Sequence, residues 1–129
     1  MRLHHVQVAM PPGDEAAARR FYAEGLGMTE VEKPEELRVR GGVWFRTWDG
    51  AGEVTAEVHV GVEELFVPAR KAHPALVVAS AAELDRLADR LAGLGFDVDT
   101  SQRTSFPGHL RFHTFDGHGN RVELLTPDA

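Results

Sequence analysis

The sequence predicts an α+β fold made of two tandem βαβββ modules. Three observations carry that expectation. First, sliding the 129-residue chain against itself by 68 positions lays "HVQVAMPPGDEAAARRFYAEGLGM" over "HPALVVASAAELDRLADRLAGLGF". His5 then falls on His73, Glu15 on Glu83, and Gly25-Leu26-Gly27 on Gly93-Leu94-Gly95. Second, both copies run from an apolar strand through an amphipathic helix to a glycine stop, which duplication explains better than chance. Third, each helix is followed by strand-like segments separated by turn formers. The modules are residues 1–62 and 73–129, joined by "EELFVPARKA" at 63–72 into a single domain of 1–129.

Each element has its own justification. In "HHVQVAM" the period of two puts Leu3, His5, Gln7 and Ala9 on one face and Val6 and Val8 on the other. Asp14 is the expected N-cap of the first helix, with Ala18, Phe21, Tyr22 and Leu26 turned inward. Strands follow near 29–33, in "VWFRTWD" and in "AEVHVGV". The second module opens with "HPALVV", where Pro74 marks a strand start or edge. Ser80 and Glu83 form a capping box for a helix whose Leu84, Leu87, Ala88, Leu91 and Leu94 share one stripe. The glycines at 25, 27, 93 and 95 are expected at left-handed helix ends. "FDVDT", "LRFHTFD" and "NRVELL" complete the module, with turns at "DGAGE", "PG" and "DGHGN".

Composition narrows the function. The chain is 43 % hydrophobic and 26 % charged, with a net charge of −6 and no basic cluster, so neither nucleic acid nor an anionic membrane is an expected partner. No apolar run reaches the length of a membrane span, and the N-terminus does not read as a secretory signal. Cysteine is absent, which removes disulfides, thiolate metal sites and thiol nucleophiles. A cytoplasmic protein is expected, and any metal must be held by nitrogen and oxygen.

Four side chains stand at related places. His5 and His73 open the modules, and His59 and Glu123 lie in the last strand of each. Val58, Val60, Val122 and Leu124 would face the helices, which leaves His59 and Glu123 on the opposite face. Three imidazoles and a carboxylate suit a divalent first-row ion such as zinc, nickel, manganese or iron. The repeat favours these four over His4, His109, His113 and His118, although an ion pair of Glu123 with Arg121 or Arg111 needs no metal. Trp44, Arg46, Arg103 and Arg111 are candidates for binding a substrate.

The pattern resembles the vicinal oxygen chelate superfamily, the glyoxalase/bleomycin-resistance/dioxygenase group. The resemblance rests on "LHHVQVAM", "AARRFYAEGLGM", "AHPALVV" and the closing "FDGHGNRVELL", and it covers nearly the whole chain. It implies paired modules forming a cupped, barrel-like mixed sheet with helices outside, a divalent metal, and a homodimer. Its ligand positions fall on His5, His59, His73 and Glu123, with His59 where glyoxalase I-like members commonly carry a glutamate. The function it implies is glyoxalase-like lyase or isomerase chemistry on a small molecule with vicinal oxygens, Glu123 being the catalytic carboxylate. Metal-free sequestration of a drug, as in bleomycin-resistance proteins, and extradiol ring cleavage are the alternatives.

Overall fold

The computed structural model describes residues 1–129, which form two compact units, 1–68 and 69–129. In the first unit β1 (Val6–Met10) leads into α1 (Glu15–Ala18), which continues as π-helical turns over Arg19–Gly25. β2 (Thr29–Val31), a short α2 (Glu35–Arg38), β3 (Val43–Trp48) and β4 (Val54–Val62) follow. The second unit holds β5 (Ala75–Val77), α3 (Ala81–Gly93), β6 (Val98–Asp99), β7 (His109–Phe115) and β8 (Arg121–Pro127). Each unit is an open four-stranded mixed sheet, ordered β1-β4-β3-β2 in one and β5-β8-β7-β6 in the other. The outer pairs β1/β4 and β5/β8 are parallel and the rest antiparallel. That is the expected βαβββ unit twice over, in an α+β fold.

The period-two expectation for the last strands places their side chains correctly. Val58, Val60, Val122 and Leu124 are buried with the helix residues Phe21, Tyr22, Leu84, Leu87 and Leu91. Phe45 joins the first core, 5.4 Å from the Tyr22 ring, and Phe112 is fully buried in the second. Ser80 caps α3 as expected, its hydroxyl accepting from the Glu83 amide at 3.1 Å. Asp49 and Asp116 organise the two hairpin turns, each Oδ1 accepting from amides two and four residues on.

Several local expectations need correction. Asp14 holds the N-cap position of α1, but its side chain accepts no capping hydrogen bond. Of the glycines at 25, 27, 93 and 95, only Gly27 and Gly95 adopt positive φ, at 76° and 92°. Gly25 and Gly93 lie inside their helices, because each reversal comes two residues later. The π-helical widening is seen where the Leu26 amide reaches back five residues to the Phe21 carbonyl, at 2.9 Å. α2 was not expected. β1 begins at Val6, so His5 stands just before the strand.

Candidate functional site

The ladders give the two units a common frame. In the first unit Gln7 lies opposite His59, and His59 opposite Trp44. In the second, Ala75 lies opposite Glu123, and Glu123 opposite His113. Gln7 and Ala75 are equivalent under the 68-residue shift. His59 and Glu123 therefore occupy matching rungs, and so do Trp44 and His113.

In the second unit three side chains converge on one oxygen. Glu123 Oε1 lies 3.1 Å from His73 Nε2, 3.1 Å from His113 Nε2 and 3.3 Å from Arg111 Nη1. Burial by itself would raise the Glu123 pKa. The His73 hydrogen bond, the Arg111 charge and the adjoining His113 imidazole outweigh it and hold the carboxyl below its ordinary range. The carboxylate at 123, buried in an otherwise apolar strand, is thus satisfied by cationic and imidazole donors.

The two imidazoles are not equivalent. His73 Nδ1 donates to the Lys71 carbonyl at 2.7 Å, so its other nitrogen, Nε2, carries a lone pair whenever the ring is neutral. That lone pair faces a carboxylate oxygen, an arrangement that needs a positive centre between or beside the two atoms. A proton satisfies it, and so does a divalent cation. His113 differs. Burial, reinforced by Arg121, lowers its pKa against the opposing pull of Glu123, so the ring is neutral near pH 7. Its Nδ1 is buried without a partner. A buried N–H without an acceptor costs more than an idle lone pair, so the proton belongs on Nε2, donated to Glu123. His113 and Arg111 orient the carboxylate, and His73 is the nitrogen presented beside it. Donors from His73, His113 and Glu123 all lie within 4.8 Å of one another.

The first unit is built around a stack. The His59 ring lies between Trp44, centroids 3.7 Å apart and 2° from parallel, and His5, 4.0 Å apart and 16° from parallel. His59 Nε2 donates to Glu57 Oε2 at 2.6 Å, while Glu57 Oε1 accepts from Arg46 at 2.6 Å. Burial lowers the His59 pKa, aided by His5 and His4 and opposed by Glu57, so its Nδ1 is a lone pair. Burial would raise the Glu57 pKa, but bonds from Arg46 and His59 hold it down. An imidazole binds a metal in its own plane. Two rings stacked face to face cannot place one ion in both planes, so His5 and His59 share an ion only if one of them turns. Donors from His4, His5 and Glu57 also fall within 4.8 Å of one another.

The sequence reasoning did not single out Glu57 or His113. Both were within reach of simple counting. Glu57 is two residues from His59 on the same strand face. The hairpin turn over 116–120 brings 113 opposite 123. The expected substrate-binding arginines are engaged elsewhere: Arg46 with Glu57, Arg103 with Asp85 at 3.0 Å, and Arg111 with Glu123, Gln102 and Ser105.

The buried histidines predict an acid sensitivity. The ordinary value for histidine is 6.5, and His59 and His113 are both held below it in the folded chain. Below about 6.5 the unfolded chain binds protons that these folded side chains resist, so stability rises with pH there and falls on acidification. Urea unfolding of metal-stripped protein should show a lower midpoint at pH 5.5 than at pH 7.5. An unchanged midpoint would contradict the burial of neutral imidazoles.

The sequence profile of the Glyoxalase/Bleomycin resistance protein/Dioxygenase superfamily matches residues 2–124. The chain belongs to this superfamily. A Bacillus anthracis protein described as of the glyoxalase family is 41% identical, with a TM-score of 0.83 over 99% of this chain and 100% of that one. Two more distant structures share the fold. The fosfomycin resistance protein FosX from Listeria monocytogenes is 14% identical, with a TM-score of 0.71 over 100% of this chain and 93% of that one. The lactoylglutathione lyase from Agrobacterium tumefaciens is 19% identical, with a TM-score of 0.66 over 95% and 92%. No curated protein sequence matches significantly. No helix of this superfamily member is long and apolar enough to cross a membrane.

Proposed function

We propose that this superfamily member is a metal-dependent enzyme of the glyoxalase kind, acting by lyase or isomerase chemistry on a small molecule with adjacent oxygens. One observation carries the reading. His73 is locked by Lys71 so that Nε2 faces Glu123 Oε1 at 3.1 Å, and this nitrogen and carboxylate oxygen would be the donors that hold a divalent cation. Nitrogen and carboxylate donors of this type fit zinc, nickel, manganese or iron. The proposed donor set is His5, His59, His73 and Glu123, with His73 and Glu123 as its anchor. When bound, such an ion supplies Lewis-acid polarisation of a substrate's vicinal oxygens.

The chain's own residues do the rest. Arg111 and His113 fix the Glu123 carboxylate, and Lys71 fixes the His73 ring. Glu123 is also the proposed catalytic carboxylate. Held anionic by Arg111 and His113 it is a weak base, so it takes a proton only as one of these donors lets go. Glu57 keeps the His59 proton on Nε2. A homodimer, as the superfamily resemblance implies, is part of the proposal and is read by sedimentation.

The test strips the protein of metal and reloads it separately with zinc, nickel, manganese and ferrous ion. Each form is assayed on α-ketoaldehyde thiol adducts, vicinal diols, catechols and epoxides. Turnover that disappears on chelation and returns with metal supports the proposal. Saturable binding without turnover in any metal form would replace it with sequestration of the bleomycin-resistance type.

A further inference from the structure

The first unit contains a cavity of about 210 Å³ lined by Gln7, Lys33, Arg40, Trp44 and Gly61, among others. Gln7 and Trp44 are on the His59 rung, so the cavity opens on the sheet face that carries His59. Its walls hold two cations. Lys33 is half-buried and donates to the Gly41 carbonyl, which fixes its ammonium at the edge. Burial lowers the Lys33 pKa, and Arg40 adds repulsion against the pull of Glu15. Glu15 accepts from the Gly42 amide at 3.3 Å and is not part of the wall.

Arg40 is the telling residue. The chain has 14 cations against 20 carboxylates, and four arginines of this unit have carboxylate partners: Arg19 with Glu30, Arg20 with Glu24, Arg38 with Glu32 and Arg46 with Glu57. The Arg40 guanidinium makes no ion pair, and its lone hydrogen bond is from the backbone amide to Leu37. An arginine without a carboxylate partner, beside a half-buried lysine that also feels the pull of Glu15, leaves two cationic donors lining the cavity. The floor is shaped to match. A Cβ at Gly61 would come within 2.7 Å of Gln7 Nε2, so the glycine lets the Gln7 amide lie across β4. The Trp44 indole, with one face on His59, forms an aromatic wall.

We propose that this cavity binds the oxyanion end of a small substrate, a carboxylate or phosphonate held between Lys33 and Arg40 with its apolar body along Trp44. The volume is below the range of about 300–1,000 Å³ usual for drug-sized ligands, which suits a small metabolite. The inference rests on the enzyme reading above only for what happens at the ligand's other end.

The test needs no metal and no turnover. The chain has two tryptophans, so Trp48→Phe leaves Trp44 as the sole indole reporter. This variant, stripped of metal and dialysed free of chelator, is titrated with phenylphosphonate, benzoate and benzyl alcohol while Trp44 emission is followed. A saturable change with phenylphosphonate, weakened about tenfold or more by Arg40→Gln, is expected for loss of a charge-assisted hydrogen bond. Benzyl alcohol should give no saturable change. Benzoate binding alongside phenylphosphonate widens the site to any oxyanion, and phenylphosphonate alone narrows it to tetrahedral ones; either supports the proposal. Equal binding by the parent and Arg40→Gln, or by benzyl alcohol, overturns it. Arg40 is exposed and holds nothing through its side chain, so the variant keeps the fold. A failure here leaves the metal requirement standing, and a metal-independent protein leaves this subsite standing.

Discussion

Glu123→Gln should lose divalent metal. The substitution keeps the shape of the side chain and removes the charge around which His73, His113 and Arg111 are arranged. An outer partner of a metal ligand is worth about 10–100-fold in affinity, and loss of a ligand's charge should exceed that. The variant also leaves the Arg111 guanidinium facing a neutral amide, with Gln102 and Ser105 still holding it in place. Removing one partner of a largely buried pair costs up to about 3–5 kcal/mol, so the fold is weakened as well. Calorimetric titration with zinc and nickel reads the first effect, and urea unfolding without metal reads the second. Parental affinity in Glu123→Gln would remove the carboxylate from the site.

Phe45→Ala is the second large effect. Phe45 is fully buried, opposite Val58 across the ladder and stacked near Tyr22. Truncating a buried phenylalanine costs about 3–5 kcal/mol, a large share of the roughly 5–15 kcal/mol that holds a domain together. Neighbouring Trp44 points to the opposite face, onto His59. Loss of the core side should therefore loosen the site side of the same strand. The urea midpoint should drop steeply, and Trp44 emission should shift before global unfolding. An unfolding free energy within about 1 kcal/mol of the parent would mean that the first helix does not rest on β3 as described.

Much of this was legible from the sequence because each module is written in simple periods. The alternation in 57–61 and 121–125 separates core from site, and it does so because both faces of those strands are committed. The capping box at Ser80 is a local rule that tertiary packing does not disturb. Helix ends were less legible. Gly25 and Gly27 look alike in sequence, and only the widened π-helical turn decides which one reverses the chain. The site's partners were harder for another reason. Single residues were weighed by the repeat, but the repeat does not conserve chemistry on each rung: Trp44 stacks where His113 donates. Glu57 escaped notice because a carboxylate two residues from His59 reads as a surface charge until Arg46 is seen opposite.

The arrangement of His73 is where the account is most exposed. Nitrogen-15 spectra of its imidazole, followed as zinc is added to metal-stripped protein, report which ring nitrogen is protonated and which is bound. Nδ1 should stay protonated throughout against Lys71, and Nε2 should move to the position of a metal-bound nitrogen at stoichiometric zinc. An Nε2 signal indifferent to zinc, or an Nδ1 that loses its proton, would contradict a metal centre anchored by His73 and Glu123.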